Sequence, residues 1–150
     1  HLVFSTLHTN DAPSALTRLI DMGVTSYLVA DALIGVVAQR LVKRLCPVCK
    51  KRSKTNPREM EMLSLTEPIR ISRPQGCQFC NGTGYKGRLA VHEIMYLDEE
   101  MRNIINKDVS SEVLREMAIQ NGMISLFDAC RGYVIKGVTS LSELMSLATN

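Results

Sequence analysis

Apolar positions recur at two different periods along this 150-residue chain, and the change of period sets the expected elements. The run Leu2-Val3-Phe4-Ser5-Thr6-Leu7 is rich in β-formers and too short for a helix, so it predicts a short buried strand. Asn10 or Asp11 then supplies a helix N-cap, with Pro13 tolerated in the first turn. Leu16, Leu19 and Ile20 form the apolar face of that helix, and Gly23 ends it near Met22. A longer helix is expected from about Ser26 to Leu45, with Leu28, Ala32, Val36 and the Val37/Leu41 pair on a wide apolar face. From Lys50 to Pro74 the chain is polar and basic, apart from a helical candidate at about Glu59 to Leu65. Arg88 to Tyr96 reads as a returning strand. Helical patterns follow over Asp98 to Asn106, Ser111 to Gln120, Leu126 to Lys136 and Leu141 to Ala148, and together predict a C-terminal helical bundle. Ser140-Leu-Ser-Glu143 is a capping box for the last of them, and Gly122 and Gly137 are natural stops.

Cysteine spacing adds chemistry to this outline. Cys46-Pro-Val-Cys49 and Cys77-Gln-Phe-Cys80 supply four soft thiolates in two knuckles, the pairing that a tetrahedral zinc ion takes. The 27 residues between the pairs exceed the usual ribbon spacing, so the intervening stretch must be a folded insertion or a protruding loop. Two disulfides would leave one of the five cysteines unpaired and would need an oxidising compartment, whereas no signal-peptide pattern opens the chain. A redox pair would need a strand before it and a helix opening on it. Structural zinc on Cys46, Cys49, Cys77 and Cys80 is the expectation, with no ligand position left open for catalysis. Cys130 sits among apolar residues at helical spacing and reads as core.

Charge is unevenly placed. Eight of the 18 Lys and Arg residues fall between positions 40 and 58 with no acid among them, so the rest of the chain sets ten cations against 15 anions. A basic zinc region on an acidic body suits nucleic acid, anionic lipid or an acidic partner face as well as it suits plain solvation. A zinc-ribbon nucleic-acid module is the alternative function this patch raises. Against it, no aromatic residue lies between Tyr27 and Phe79 to stack a base. No apolar stretch approaches the length of a membrane span. The chain opens at His1 inside a strand-like run, which leads us to expect a piece of something longer.

Several motif matches fail on context. Gly82-Thr-Gly84-Tyr-Lys-Gly87 satisfies G-x-G-x-x-G but follows a knuckle and precedes a strand, whereas phosphate cradling needs strand before and helix after. Its glycines suit tight turning beside a metal. Asn81-Gly-Thr83 matches a glycosylation acceptor only in a secreted protein, and His92-Glu93 lacks the second histidine of a zinc hydrolase helix. Cys77 to Gly84 resembles the repeat of the DnaJ-type chaperone zinc domain, but that pattern occurs here once.

The order of parts carries a wider resemblance. His1-Leu-Val-Phe-Ser-Thr-Leu-His8-Thr-Asn-Asp-Ala12 resembles the histidine box of the secretion ATPases that drive type II secretion and type IV pilus assembly. The resemblance continues through Arg18 to Gly23, Ala38 to Cys49, Cys77 to Cys80 and Gly82 to Met95, nearly the whole chain. The tetracysteine points to the assembly and export branch. What the resemblance implies is an α/β fold, the C-terminal portion of a RecA-like P-loop motor domain with a zinc lobe and a helical bundle. The expected division is a core half over 1–45, a zinc lobe over 46–80, and a returning strand with helices over 81–150. It further implies a homo-hexamer that binds ATP and magnesium, is cytoplasmic and peripheral at the inner membrane, and works on an inner-membrane platform with no specific nucleic acid. No G-x-x-x-x-G-K-[ST] loop is present, so this segment is not expected to turn over ATP alone. Within it, the resemblance assigns His8 to the nucleotide-sensing box, with a cap on the next helix as the alternative, and Arg18 to the same electrostatic surface; Arg88, placed before a short strand, is expected to contact nucleotide or a neighbouring subunit, with an Arg88–Glu93 ion pair as the alternative. The motifs are shared by type II secretion and pilus systems and do not choose between them.

Overall fold

In the computed structural model, which describes residues 1–106 and 110–148, the segment expected as one helix from Ser26 to Leu45 is divided. Helix α1 spans Ala12–Asp21, helix α2 only Ser26–Ala32, and strand β1 runs over Gly35–Leu45. Two features account for the break. Val36, Ala38, Arg40 and Val42 turn inward in alternation with exposed Val37, Gln39 and Leu41, the period of a strand, and the β-branched valines favour it. Leu33 meanwhile leaves α2 in an extended conformation. The Arg102 guanidinium donates to the carbonyl of Ala30 and, at 3.0 Å each, to those of Asp31 and Leu33. Those are acceptors that a helix end leaves open. Arg40, Lys43 and Arg44 therefore ride on a strand and not on the last turns of a helix.

The strand expected over Leu2 to Leu7 is also absent. That run has no regular structure, and Leu2, Val3 and Phe4 are 69%, 78% and 90% exposed. Its side chains favour β structure, but no strand among the described residues pairs with it, and a lone strand cannot satisfy its own backbone groups.

The remaining elements follow in order. Strand β2 is Lys51–Lys54, helix α3 Pro57–Met62 and strand β3 Arg70–Arg73; a single 3-10 turn at Gln78–Cys80 precedes strand β4 at Tyr85–Tyr96. Helices α4 (Glu99–Ile105), α5 (Ser111–Gln120), α6 (Leu126–Ile135) and α7 (Leu141–Ala148) lie within a residue or so of expectation. β1 pairs with β4, and β2 pairs antiparallel with β3, Lys51 opposite Arg73 through Lys54 opposite Arg70.

The chain forms two units, residues 1–39 with 92–126, and residues 40–91 with 127–150. The segment 81–150 is thus distributed over both, with α4 and α5 in the first and α7 in the second; its residues 107–109, 149 and 150 lie outside the described residues.

In the first unit α1, α2, α4 and α5 pack together over buried Leu16, Val29, Met101, Ile105 and Leu114. Asp11 caps α1 by accepting from the Ser14 N–H at 2.8 Å, and Arg115 of α5 pairs with its other oxygen at 2.5 Å. The second unit closes over Val42, Leu45, Leu63, Ile71, Val91, Cys130, Val134 and Leu144. There the expected capping box of α7 is half built. Ser140 Oγ accepts from the Glu143 N–H at 3.3 Å, but the Glu143 carboxylate accepts instead from the backbone N–H of Lys43 at 2.8 Å, 3.6 Å from that residue's ammonium. The start of α7 is thereby pinned to β1.

The Asp11 cap carries a pH dependence. Burial opposes ionisation of Asp11, but its bonds from Ser14 and the neighbouring Arg115 outweigh burial and hold its pKa below the ordinary 3.8. A folded-state pKa below the unfolded one adds stability above the unfolded value and loses it as pH falls through the folded value. Asp11→Ala should therefore lower the unfolding free energy by about 1 kcal/mol near neutral pH. The difference should shrink as pH falls below 3.8 and through the lower folded value, as urea denaturation at neutral and at acid pH would read.

Candidate metal centre

Four sulfur atoms meet in the second unit although their knuckles are far apart in sequence. The Sγ atoms of Cys46, Cys49, Cys77 and Cys80 all lie within 4.8 Å of one another. Three of the edges are 3.9 Å (Cys46 to Cys77), 3.8 Å (Cys49 to Cys80) and 3.7 Å (Cys77 to Cys80). A tetrahedral ion with metal–sulfur bonds of about 2.3 Å has sulfur–sulfur edges of about 3.8 Å, which these three edges match, so the four cysteines suit a zinc ion.

Backbone geometry builds the cage. Cys46 follows directly on β1, and its N–H donates to Gly84 O at 2.9 Å, joining the two knuckles. The second knuckle turns through the 3-10 segment and left-handed Asn81, with the Gly82 N–H returning to Cys77 O at 2.9 Å. Gly76 and Gly84 adopt φ of +119° and +79°. A Cβ on Gly84 would lie 2.5 Å from Pro74 Cβ, and one on Gly76 would lie 2.6 Å from Gly82 O. Glycine is needed at both positions.

Amide donors face the sulfurs. The N–H groups of Cys77 and Gly84 point at Cys80 Sγ, both at 3.2 Å, and that of Gly76 points at Cys49 Sγ at 3.3 Å. Such donors favour thiolates. Taken by themselves, sulfurs this close cannot all ionise. Burial raises Cys80, but the Cys77 and Gly84 amides and the neighbouring thiols outweigh it and bring the group down to about 6. For Cys77 the backbone bond with Cys80 lowers the pKa, while burial and the Cys80, Cys49 and Cys46 thiols outweigh it and push the group up to about 11. A divalent cation removes that conflict, because each thiolate then binds charge of opposite sign.

The 27-residue insertion is folded, as β2, α3 and β3. Arg73 clamps it, pairing both guanidinium nitrogens with Glu59 at 2.6 and 2.8 Å while donating to Ser53 Oγ. Asn56 and Glu59 cap α3 reciprocally, each at 2.9 Å. The Arg73 contact, helped by the Asn56 amide and opposed by burial, holds Glu59 below the usual carboxylate range. A cleft of about 550 Å³ lies beside this clamp, floored by Met62, Ile71, Pro74, Leu141 and Met145.

The other candidate residues stand apart from the metal cage. His8 is exposed in the irregular segment before α1, and Arg18 is exposed in the last turn of α1. Arg88 is exposed on β4. Glu93 does not serve Arg88. Its carboxylate, 1% exposed, accepts from the N–H groups of Ala12 and Leu126 at 2.8 and 3.0 Å and lies 4.0 Å from Arg115. Cys130 is fully buried as expected, and burial followed by the Glu143 charge pushes its thiol up to about 11. Among the described residues no helix is long and apolar enough to cross a membrane.

Sequence reading missed Arg73, Arg102 and the role of Glu93. Asn56-Pro-Arg-Glu59 carries the signature of a capping box and could have been found. Arginine clamps leave no such local mark.

Comparison with known proteins places these features. Residues 1–146 match the model of the Type II/IV secretion system protein family. The chain is 42% identical over 150 residues to the type IV pilus assembly ATPase PilB of Thermus thermophilus, covering 97% of this chain and 17% of that protein. It is 43% identical to the type IV pilus assembly ATPase TfpB of Acinetobacter baylyi, covering 97% and 26%. Identity to the type II secretion system ATPase E of Vibrio cholerae is 39%, covering 97% and 29%. The chain therefore spans less than a third of the length of each of these relatives.

The cage makes a direct prediction. The purified protein should hold one zinc per chain by elemental analysis, and Cys46→Ser should lower that content, because three thiolates with a water bind less tightly. Amide exchange should rise around the two knuckles and not in α1, α4 or α5, whose packing is independent of the sulfurs.

Proposed function

Because this chain belongs to the type II/IV secretion system protein family, we propose that it is the C-terminal region of a hexameric ATPase that powers type II secretion or type IV pilus assembly. The observation that carries this reading is the match across nearly the whole chain, at about 40% identity, to proteins named as ATPases of those machines. In this reading ATP phosphates and magnesium are bound by a P-loop outside these 150 residues, within a RecA-like core, and this segment alone turns over no ATP. Zinc on Cys46, Cys49, Cys77 and Cys80 is structural. It supplies a cross-link between two turns and no chemistry of its own.

His8 is the residue we assign to nucleotide sensing, with Arg18 and Arg88 as nucleotide or subunit contacts. All three are exposed and available to groups that this segment does not contain. The protein acts on the cytoplasmic face and meets the inner membrane through its partners. The basic insertion is the surface we assign to a protein partner in the membrane platform. Lys54 stands directly opposite Arg70 on the β2–β3 ribbon, with Arg52 beside them. Like charges placed opposite one another cost stability, so their presence favours a partner that neutralises them. Against a nucleic-acid module stands the scarcity of stacking surface: Phe79 is half exposed but covered by Lys86 at 5.3 Å, and the Tyr85 hydroxyl is engaged with Ser140 and Ser142.

Two experiments test the reading. His8→Ala in the complete ATPase should lower ATP turnover while zinc content and fold persist; turnover at the parent rate would reduce His8 to a local contact. Reversing Lys51 and Lys54 to Glu together should leave the ATPase activity of the isolated assembly intact, because exposed cations add little stability, with Arg52 kept because it donates to Arg70 O at 3.0 Å. Secretion or pilus assembly in cells should fall, and normal assembly would return the patch to a solvated surface. Lys50 is left out of this set because its ammonium holds Gly137 O at 2.8 Å.

A further inference from the structure

Glu93 is the buried titratable group that the proposed function leaves unused. Its side chain is 1% exposed, and an isolated carboxylate at that depth would be costly. Each of its oxygens has a separate duty. Oε1 accepts from Ala12, the first residue of α1, and Oε2 accepts from Leu126, the first residue of α6. Arg115 stands 4.0 Å away with its other nitrogen on Asp11, the cap of α1. The start of α1 is therefore fixed twice, by Glu93 at Ala12 and by Arg115 at Asp11. Thr9 Oγ1 donates to Asp11 O at 3.2 Å, which carries that anchorage to the residue after His8.

We propose that Glu93 is a positioning residue whose carboxylate, through the start of α1, sets where the His8–Asn10 segment lies in the ATPase cycle. The role of His8 rests on the function proposed above; the anchoring of α1 does not. A segment without regular structure has many conformations, and among the described residues the regular element that bounds it is the first turn of α1. Moving that boundary moves His8. Chemistry sensitive to about 1 Å of misplacement then falls by 10- to 100-fold.

Glu93→Gln separates the contributions. The amide keeps the size of the side chain but has one acceptor oxygen, so either Ala12 or Leu126 must face an NH2 group, donor against donor. In the complete ATPase this variant should lower kcat by about 10-fold or more while KM for ATP stays within about twofold. Added to His8→Ala, it should lower kcat no further than about twofold, because both changes remove the same positioned group. Amide exchange across residues 12–16 should accelerate.

Parent-like kcat for Glu93→Gln, an equal loss in the parent and the His8→Ala background, or unchanged exchange at residues 12–16 would each overturn the proposal. If His8→Ala turns over at the parent rate, the reading of His8 fails separately, and the anchoring role of Glu93 is decided by the exchange result. Should Glu93→Gln fail to fold, Arg115→Gln, at a half-exposed side chain on the same two carboxylates, carries the same comparison with smaller losses.

Discussion

Convergence of four sulfurs is the constraint on which the second unit depends. Two turns separated by 27 residues have to be brought within a few ångströms of each other, and closing such a loop costs conformational entropy that a small insertion cannot recover from its own burial. Within the insertion the buried apolar side chains among the described residues are Leu63, just after α3, and Ile71 of β3. Their arrangement is held at one end by the knuckles and at the other by Arg73, whose planar fork meets the Glu59 carboxylate in two parallel bonds. Sulfur cluster and guanidinium clamp meet one problem, each tying distant residues together where hydrophobic core is scarce.

The same economy recurs in the first unit, where charged side chains terminate helices. Asp11 and Glu93 occupy the open N–H groups at the starts of α1 and α6, and Arg102 occupies open carbonyls at the end of α2. Short helices gain most from such contacts, since unsatisfied end groups form a large fraction of their backbone. α2 has seven residues and α4 has seven. Their stability comes from packing and capping far more than from intrinsic propensity.

The C-terminal helices and β4 were legible in the sequence because their signals are local: caps, glycine stops, and a single consistent period. The convergence of the four cysteines was legible for a chemical reason, since thiols in paired turns have few other uses. The region from Ser26 to Leu45 was not. Leu28, Ala32 and Val36 satisfy a helical period while Val36, Ala38, Arg40 and Val42 satisfy a strand period, and the sequence alone does not say that Arg102, 69 residues beyond Leu33, stops the helix. Leu2 to Leu7 failed in the opposite way: its strand character is intrinsic, but a strand exists only with a neighbour to pair with. Pairing across distance, in both cases, was the missing information.

That unpaired run has a consequence for handling the protein. Leu2 to Leu7 is six residues of high β propensity with no proline, and no Lys, Arg, Asp or Glu occurs before Asp11. Those are the attributes of segments that stack into steric zippers. Natural edges are guarded by charged gatekeepers or bulges; on the carboxyl side of this run the first charge is Asp11. Within these 150 residues the run therefore offers unpaired backbone groups to which another strand can add.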